Sequence, residues 1–139
     1  MRPLRPSVLF VCEGNSCRSV MAEAFATQKL PGWTARSAGL NPLPEYDSRA
    51  ALATLGRDFG IALGEHRQTD VRNLELDGFT HVIAMDEHIA AALRRLTARE
   101  VIAWDIDDPW EGDPEEYRQC ALRIRGKLAD FAELTAKET

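Results

Sequence analysis

Cys12 and Arg18 stand six positions apart, and the segment between them reads Glu-Gly-Asn-Ser-Cys. A loop of this kind between a strand and a helix can curl so that its backbone N–H groups converge on one point and bind an oxyanion. The planar guanidinium of Arg18 can grip two oxygens of the same anion. The donors and the helix dipole also favour the thiolate of Cys12, and Ser19 can donate to it. The pattern therefore predicts an anion-binding loop with a nucleophilic thiol.

Two residues inside this loop suit a tight backbone. Gly14 can adopt conformations that a Cβ would block, and Asn15 is the non-glycine residue that best tolerates the left-handed region. A plainer interpretation remains open, in which Cys12 is a buried strand cysteine, Gly-Asn an ordinary turn and Arg18 a solvated residue at the start of a helix. A Cys-x5-Arg pattern by itself does not decide between the two.

If the anion is a phosphate ester, its hydrolysis needs a proton donor at the leaving oxygen, and a carboxyl group is a usual source. The segment 105–113 contains five carboxyl groups, and composition alone does not choose among them: Asp105, Asp107, Asp108, Glu111 and Asp113. Asp113 precedes Pro114, a pair that fits a helix cap followed by a proline in the first turn.

The composition of the 139 residues fits one domain with a substantial core, because 45% of them are hydrophobic. We predict a single domain over 1–139, with flexible ends at about 1–6 and 136–139. The net charge of −5, without a Lys/Arg stripe, argues against nucleic acid as a partner. No apolar run approaches the length of a membrane span, so we expect a cytoplasmic protein without a membrane partner. The oligomeric state stays open.

The cysteines and histidines do not form a metal-binding pattern. Cys12, Cys17 and Cys120 are an odd number without a Cys-x-x-Cys pair, which fits thiol chemistry in a reducing compartment better than disulfides or zinc. His81 and His88 have no companions at metal-ligand spacing. We therefore expect no metal and no cofactor, and we place Cys120 in the core of the last helix.

Strands and helices alternate along the chain. The apolar run over 7–12 predicts a strand buried on both faces, and helical spacing after Arg18 predicts a helix to Leu30. Three further strands are predicted over 33–38, 79–85 and 101–104. Two further helices are predicted between them, one over 50–59 capped by Asp47 or Ser48 and one from the cap Asp86 to about Leu96. A last helix is predicted from Pro114, and the residues available for its buried face are Tyr117, Leu122, Ile124, Leu128, Phe131 and Leu134.

This alternation predicts an α/β fold, a three-layer doubly wound sandwich with a four-stranded parallel sheet and helices on both faces. In such sheets a ligand binds beyond the carboxyl ends of the strands. Cys12 closes the first strand, so the loop lies where that rule places a site.

The whole motif, Cys12-Glu-Gly-Asn-Ser-Cys-Arg-Ser19, is similar to the C-x-G-N-x-C-R-S signature of low-molecular-weight protein tyrosine phosphatases. Further segments match family landmarks in order and spacing: Ser37-Ala-Gly39, Gly64-Glu-His66-Arg67, Ala84-Met-Asp86 and Asp108-Pro109. The resemblance implies a flavodoxin-like fold, Cys12 as nucleophile, Arg18 as transition-state ligand and Asp108 as general acid. It implies that the phosphate is cradled by Glu13, Gly14, Asn15, Ser16, Cys17 and Ser19.

The resemblance also assigns residues around the loop. It implies that Ser37 and His66 belong to a hydrogen-bond network that holds the loop asparagine, and that Trp110 stacks on a substrate ring. Tyr46 is a candidate for the opposite wall, with a partly buried rim aromatic as the alternative. The loop 40–48 is shorter than in many members, and Ser48 stands where Asp-Pro-Arg is frequent, so the resemblance implies less about substrate preference.

The function that follows is hydrolysis of phosphotyrosine, in a protein or a small aryl phosphate, through a cysteinyl-phosphate intermediate. The first alternative is an arsenate reductase. Related reductases carry the extra cysteines that resolve the reaction shortly after the third strand, and this chain has none there, so such a reductase would use an external thiol. The second alternative is a phosphate- or phosphotyrosine-binding module without turnover, against which the complete set of Cys12, Arg18 and Asp108 argues. The resemblance also implies a reversible disulfide between Cys12 and Cys17 under peroxide.

Overall fold

The computed structural model describes residues 5–138. Its elements are β1 (Ser7–Cys12), α1 (Arg18–Lys29), β2 (Thr34–Gly39), α2 (Arg49–Phe59), β3 (His81–Ala84), α3 (Glu87–Leu93), β4 (Val101–Ala103) and α4 (Pro114–Ala136), with short 3-10 turns at Val71–Asn73 and Leu76–Gly78. Of the ends predicted to be flexible, residues 1–4 and 139 lie outside the described part, and Ala136 is the last residue of α4.

The four strands form one parallel sheet in the order β2-β1-β3-β4. β1 occupies an inner position, where Val11 is paired with Ala38 on one side and with Ala84 on the other. β2 lies outside β1 and β4 lies outside β3, so right-handed crossovers place α1 and α3 on opposite faces of the sheet. α4 packs against α1 and therefore covers the same face. The predicted α/β architecture is confirmed, and β1 ends at the edge where a ligand is expected.

The core forms where the sequence is continuously apolar. Val8 to Val11 of β1 are completely buried, because both faces of this strand are covered. On α1 the apolar residues at helical spacing face the sheet, and all four predicted positions are buried: Val20, Met21, Ala24 and Phe25. The first strand and first helix thus fix the two ends of the 12–19 loop within the core.

Two helices begin as their capping residues predict. Asp86 accepts a hydrogen bond from the Ile89 amide at 2.9 Å and so caps α3. Asp113 accepts one from the Glu116 amide at 2.8 Å and forms a capping box with that residue at the start of α4. α2 differs, because Ser48 occupies the cap position without a capping bond, while the Asp47 carboxylate accepts from the Arg49 amide at 3.0 Å.

Some predicted boundaries are wrong by a few residues. β3 begins at His81 rather than at 79, because Thr80 bonds to Ser7 through side chains: the Ser7 amide donates to Thr80 Oγ1 at 2.8 Å, and the Thr80 amide donates to Ser7 Oγ at 3.0 Å. α3 ends at Leu93, not at about Leu96, because the Leu96 amide turns back to the Leu93 carbonyl at 2.8 Å. β2 is shifted by one residue, to 34–39, and β4 is shorter by one residue.

The buried face of α4 also differs from the prediction at its end. Leu134 is 60% exposed, whereas Thr135 is buried and bonds to the Phe131 carbonyl at 2.9 Å. The buried stripe passes through Leu128 and Phe131, and position 135 continues it at helical spacing, while position 134 is rotated away from it. Leu122 is only half-buried.

Within the described residues no helix is long and apolar enough to cross a membrane. The same part of the chain contains no group of three or more His, Cys, Asp or Glu side chains placed to hold a metal ion.

The two leucines of α4 give a matched test of the packing. Leu128→Ala removes a completely buried side chain and is expected to lower the free energy of unfolding by about 3 kcal/mol. Leu134→Ala makes the same change at an exposed position and is expected to alter it by less than about 0.5 kcal/mol. Urea unfolding followed by circular dichroism measures both, and equal costs would contradict the assignment of the buried stripe.

Candidate active site

The 12–19 loop leaves β1 at the carboxyl edge of the sheet and passes directly against β2. A Cβ built on Gly39 would lie 2.9 Å from both the Asn15 amide nitrogen and the Glu13 carbonyl oxygen. Such distances are too short for any side chain, and all the neighbouring atoms are backbone. Only glycine at position 39 lets the loop run this close to the sheet.

The centre of the loop is held by Asn15, which has a left-handed backbone with φ of 53° and is completely buried. The Thr69 amide donates to Asn15 Oδ1 at 2.8 Å, which fixes the orientation of the side-chain amide. The Asn15 Nδ2 then donates to Ser19 Oγ at 2.9 Å. His66 Nε2 lies 2.8 Å from the Asn15 carbonyl oxygen, and because a carbonyl only accepts, Nε2 carries the proton.

Ser37 is placed differently from the network that the resemblance implied. Its hydroxyl oxygen is buried and has no hydrogen-bond partner within residues 5–138. The two side-chain bonds of Asn15 go instead to Ser19 and to the Thr69 amide. The structure therefore does not place Ser37 in the hydrogen-bond network around Asn15, whereas His66 belongs to it and the Thr69 amide takes part in it.

The Cys12 thiol lies at the bottom of the loop, with its Sγ 2.9 Å from Ser19 Oγ. Ser19 already accepts from Asn15, so its own proton is free to point at the Cys12 sulfur. In the described part of the chain, the backbone N–H groups of 13–17 donate to no other residue. The loop between β1 and α1 therefore has backbone donors that can bind an oxyanion.

Arg18 is held in place by three neighbours. Its Nη1 donates to Asp86 Oδ2 at 2.8 Å and to the Ile106 carbonyl at 2.9 Å, while Nη2 lies 3.8 Å from Asp108 Oδ2. The side chain is only 4% exposed. Burial alone would lower the pKa of Arg18, but the hydrogen bond to Asp86 and the nearby negative charges outweigh it, and the pKa is raised. The guanidinium therefore stays charged, and Arg18 lines the same cleft as Cys12 and Asp108.

The Asp108 carboxylate stands at the mouth of the site and is 46% exposed. Its Oδ1 accepts from the Trp110 amide at 3.1 Å, which stabilises the turn that carries both residues. Two other carboxylates of the segment 105–113 point elsewhere: Asp107 lies 3.6 Å from Arg123, and Asp113 caps α4. Of the two Asp-Pro pairs, only the one at 108–109 reaches the loop.

Aromatic rings form the walls above the loop. Tyr46 packs so closely against Gly14 that a Cβ there would lie 2.6 Å from the Tyr46 ring. Trp110 is 62% exposed and meets Tyr46 edge to face, with ring centroids 6.1 Å apart. Gln68 fixes this wall to the loop, since its Nε2 donates to the carbonyls of Gly14 at 3.1 Å and of Tyr46 at 3.0 Å.

These groups enclose a cleft of about 90 Å³. The structure brings the following predicted site residues to its surface: Cys12, Glu13, Gly14, Ser16, Cys17, Arg18, Tyr46, Asp108 and Trp110. Four others are outside the cleft lining, with Asn15, Ser19 and His66 bonded behind the loop and Ser37 buried in β2.

Sequence reasoning did not assign several residues of this site. Tyr117 was predicted as a core residue of α4, yet it also lines the cleft, and burial raises the pKa of its hydroxyl. Asp86 was predicted as a helix cap and as part of a family landmark, but no contact with Arg18 was assigned to it. Its position after β3, at the same sheet edge as Cys12, is the signal that could have paired it with Arg18. Gln68 and Thr69 lie in an irregular segment without any such signal.

A family model described as low molecular weight phosphotyrosine protein phosphatase matches residues 7–139. The chain belongs to this family. The match covers every residue of the loop, the cleft and the network behind it.

Individual relatives of this phosphatase family are similar over most of their length. The protein-arginine-phosphatase of Geobacillus stearothermophilus is 32% identical, over 91% of this chain and 93% of the relative. A probable low molecular weight protein-tyrosine-phosphatase, EpsP of Ralstonia solanacearum, is 31% identical over 86% and 88%. The crystal structure of a low molecular weight protein tyrosine phosphatase from T. tengcongensis matches with a TM-score of 0.82 and 29% identity, over 92% and 98%. Arsenate reductases are similar at 26% to 28% identity.

The close approach of Gly39 predicts how the loop responds to a single methyl group. Gly39→Ala is expected to displace the loop donors and weaken the binding of inorganic phosphate at least tenfold, about 1.4 kcal/mol. Gly126→Ala is the matched control, because a Cβ there meets nothing within 4 Å and alanine favours the helix. Isothermal titration with phosphate measures both. Unchanged affinity in Gly39→Ala would show that the loop does not depend on this contact.

Proposed function

We propose that this chain hydrolyses phosphotyrosine or aryl phosphate monoesters through a cysteinyl-phosphate intermediate, with Cys12 as nucleophile, Arg18 as transition-state ligand and Asp108 as general acid. The observation that carries the proposal is that these three side chains line one cleft, with Arg18 only 3.8 Å from Asp108. Family membership and the phosphatase relatives support the same reaction class.

In the first step the Cys12 sulfur attacks phosphorus, the S–P bond forms and the bond to the leaving oxygen breaks. Asp108 gives its proton to that oxygen at the mouth of the cleft. The loop N–H groups and Arg18 hold the three equatorial oxygens, where charge gathers in the transition state. Ser19 stabilises Cys12 as a thiolate before attack and as a leaving group afterwards, through its bond at 2.9 Å.

In the second step Asp108, now a carboxylate, takes a proton from a water molecule that attacks phosphorus. The S–P bond breaks, the Cys12 thiolate is restored and inorganic phosphate leaves. Each proton that Asp108 donates is thereby regained within the cycle.

The aromatic walls suit a flat leaving group. Tyr46 and Trp110 stand edge to face beside the cleft, and a phenyl ring seated on the loop would pass between them and the exposed Asp108. The cleft is small and open, so it accepts a side chain at the surface of a protein as well as a small aryl ester. A phosphotyrosine-containing protein or a small aryl phosphate is the partner that we propose. The reaction requires a free thiol at Cys12, and none of Cys12, Cys17 and Cys120 forms a disulfide, which suits the reducing cytoplasm that we propose as the location.

A second candidate substrate is phosphoarginine, which the relative from Geobacillus stearothermophilus is named for. The cleft carries acidic groups that a guanidinium could meet, because Asp47 and Asp108 both line it. Arsenate remains a third ligand of the same loop. A thiol would then have to reduce the Cys12 adduct, and the segment after β3, Met85-Asp86-Glu87-His88, supplies none.

The general acid is tested with the two Asp-Pro pairs. Asp108→Asn is expected to lower kcat for phosphotyrosine about a hundredfold, because the leaving phenolate is no longer protonated. Asp113→Asn makes the same change in the same dipeptide and is expected to leave kcat unchanged, since asparagine also caps a helix. Cys12→Ser is expected to abolish turnover. Equal losses in the two aspartate variants would overturn the assignment of Asp108.

The substrate class is tested with three ligands side by side. We expect steady hydrolysis of a phosphotyrosine peptide, measured as phosphate release, to exceed that of a phosphoarginine peptide. With arsenate, glutathione and glutaredoxin, we expect the protein to cause no oxidation of glutathione. Faster release from phosphoarginine would change the substrate while keeping the mechanism, and arsenate reduction without any ester hydrolysis would overturn the proposed function.

A further inference from the structure

The structure brings Cys120, which is far from the other two cysteines in the sequence, close to the loop that carries Cys12 and Cys17. Cys12 and Cys17 both line the active-site cleft, at the two ends of the same short loop. Cys17 is the cap residue before α1, and its thiol interacts with the thiol of Cys120 on α4, the helix that packs against α1. Cys17 therefore interacts with both of the other cysteines. The position of Cys120 in the core is as the sequence predicts, but its neighbour was not foreseen.

Cys120 also faces a second cleft. This cleft lies beyond Asp108 and Pro109, which both border it, so the Asp108 turn separates it from the active site. Cys120 Sγ donates to the Asp107 carbonyl at 3.8 Å in the wall between the two. The remaining lining is charged and polar: Asp107, Glu115, Glu116, Gln119 and Arg123. The three cysteines thus extend from the active-site cleft to a separate opening at the surface.

The charges around Cys17 keep it protonated while Cys12 is reduced. The pKa of the Cys17 thiol is raised by its hydrogen bond with Cys120 and by burial, and further by the negative charges of Cys120, Cys12 and Asp108. A Cys12 thiolate is one of these charges. Its conversion to a neutral sulfenic acid removes that charge, so Cys17 ionises more easily at the moment when Cys12 is oxidised.

We propose that Cys17 and Cys120 form a redox-active dithiol that takes the two oxidising equivalents of a peroxide from Cys12 and returns Cys12 to the thiolate. The oxidant is a hydroperoxide, which the Cys12 thiolate reduces to an alcohol or water while the sulfur becomes a sulfenic acid. The Cys17 thiolate attacks this sulfur, the S–O bond breaks, water leaves and a Cys12–Cys17 disulfide forms.

In the last step the Cys120 thiolate attacks the Cys17 sulfur. The Cys12–Cys17 bond breaks, Cys12 leaves as a thiolate and a Cys17–Cys120 disulfide remains. The donors that favour the Cys12 thiolate make it a good leaving group in this exchange. The two oxidising equivalents of the peroxide then reside between α1 and α4, where a thiol reductant can reach Cys120 through the second cleft.

This relay rests on the reactive Cys12 of the proposed function, but it is mapped without any turnover of a phosphate ester. The reduced full-length protein is treated with one equivalent of hydrogen peroxide, alkylated with iodoacetamide and digested for mass spectrometry. We expect a peptide that links Cys17 to Cys120, with Cys12 alkylated, and more than half of the phosphatase activity retained without added reductant.

Two variants distinguish the effect of losing the Cys120 thiol from the effect of changing the packing at this position. Cys120→Ser and Cys120→Ala are both expected to keep the basal activity and the melting temperature close to those of the wild type. After peroxide both are expected to stop at Cys12–Cys17 and to lose activity until a dithiol is added. Agreement between the two variants assigns the effect to the missing thiol.

A wild-type protein that ends at Cys12–Cys17 with Cys120 alkylated, or at Cys12 sulfinic acid, overturns the relay and leaves the phosphatase mechanism intact. Failure of peroxide to modify Cys12 at all overturns the relay, and it counts against the proposed function only if ester hydrolysis is also absent.

Discussion

The left-handed backbone of Asn15 sets the course of the anion-binding loop. A non-glycine residue in this region costs about 1 kcal/mol, and a typical hydrogen bond contributes about the same, so the three bonds of Asn15 to Ser19, Thr69 and His66 outweigh the strain. The turn at Asn15 brings the loop N–H groups around Cys12 and points Ser19 at its sulfur. The same turn presses the loop against β2, where only the absence of a side chain at Gly39 leaves room.

A buried charge connects this loop with the rest of the sheet. Arg18 is almost fully buried, and a charge in such a place is retained only when its hydrogen bonds are satisfied. Asp86 at the end of β3 and the Ile106 carbonyl after β4 supply these bonds. The direction of the guanidinium therefore depends on three neighbouring strands at once, and its remaining edge is left for the anion and for Asp108.

The α1–α4 packing gives the cleft a second side. It places Tyr117 in the cleft and Cys120 beside Cys17, although α4 lies about a hundred residues after the loop. One helix interface thus serves both the wall of the active site and the contact between Cys17 and Cys120. The proposed ester hydrolysis and the proposed thiol relay both use Cys12, and both depend on the loop that leads into α1.

The sequence by itself determined the local features, because these depend on neighbours along the chain. The apolar run of β1, the helical spacing of α1, the caps at Asp86 and Asp113 and the choice of Cys12 and Arg18 all follow from short segments. Only the tertiary structure decided which distant groups meet. Thr69 rather than Ser37 bonds Asn15, Asp86 pairs with Arg18, Thr135 replaces Leu134 on the buried face, and Cys120 reaches Cys17. These contacts arise from the order of the strands and the packing of the helices, which no short segment of the chain encodes.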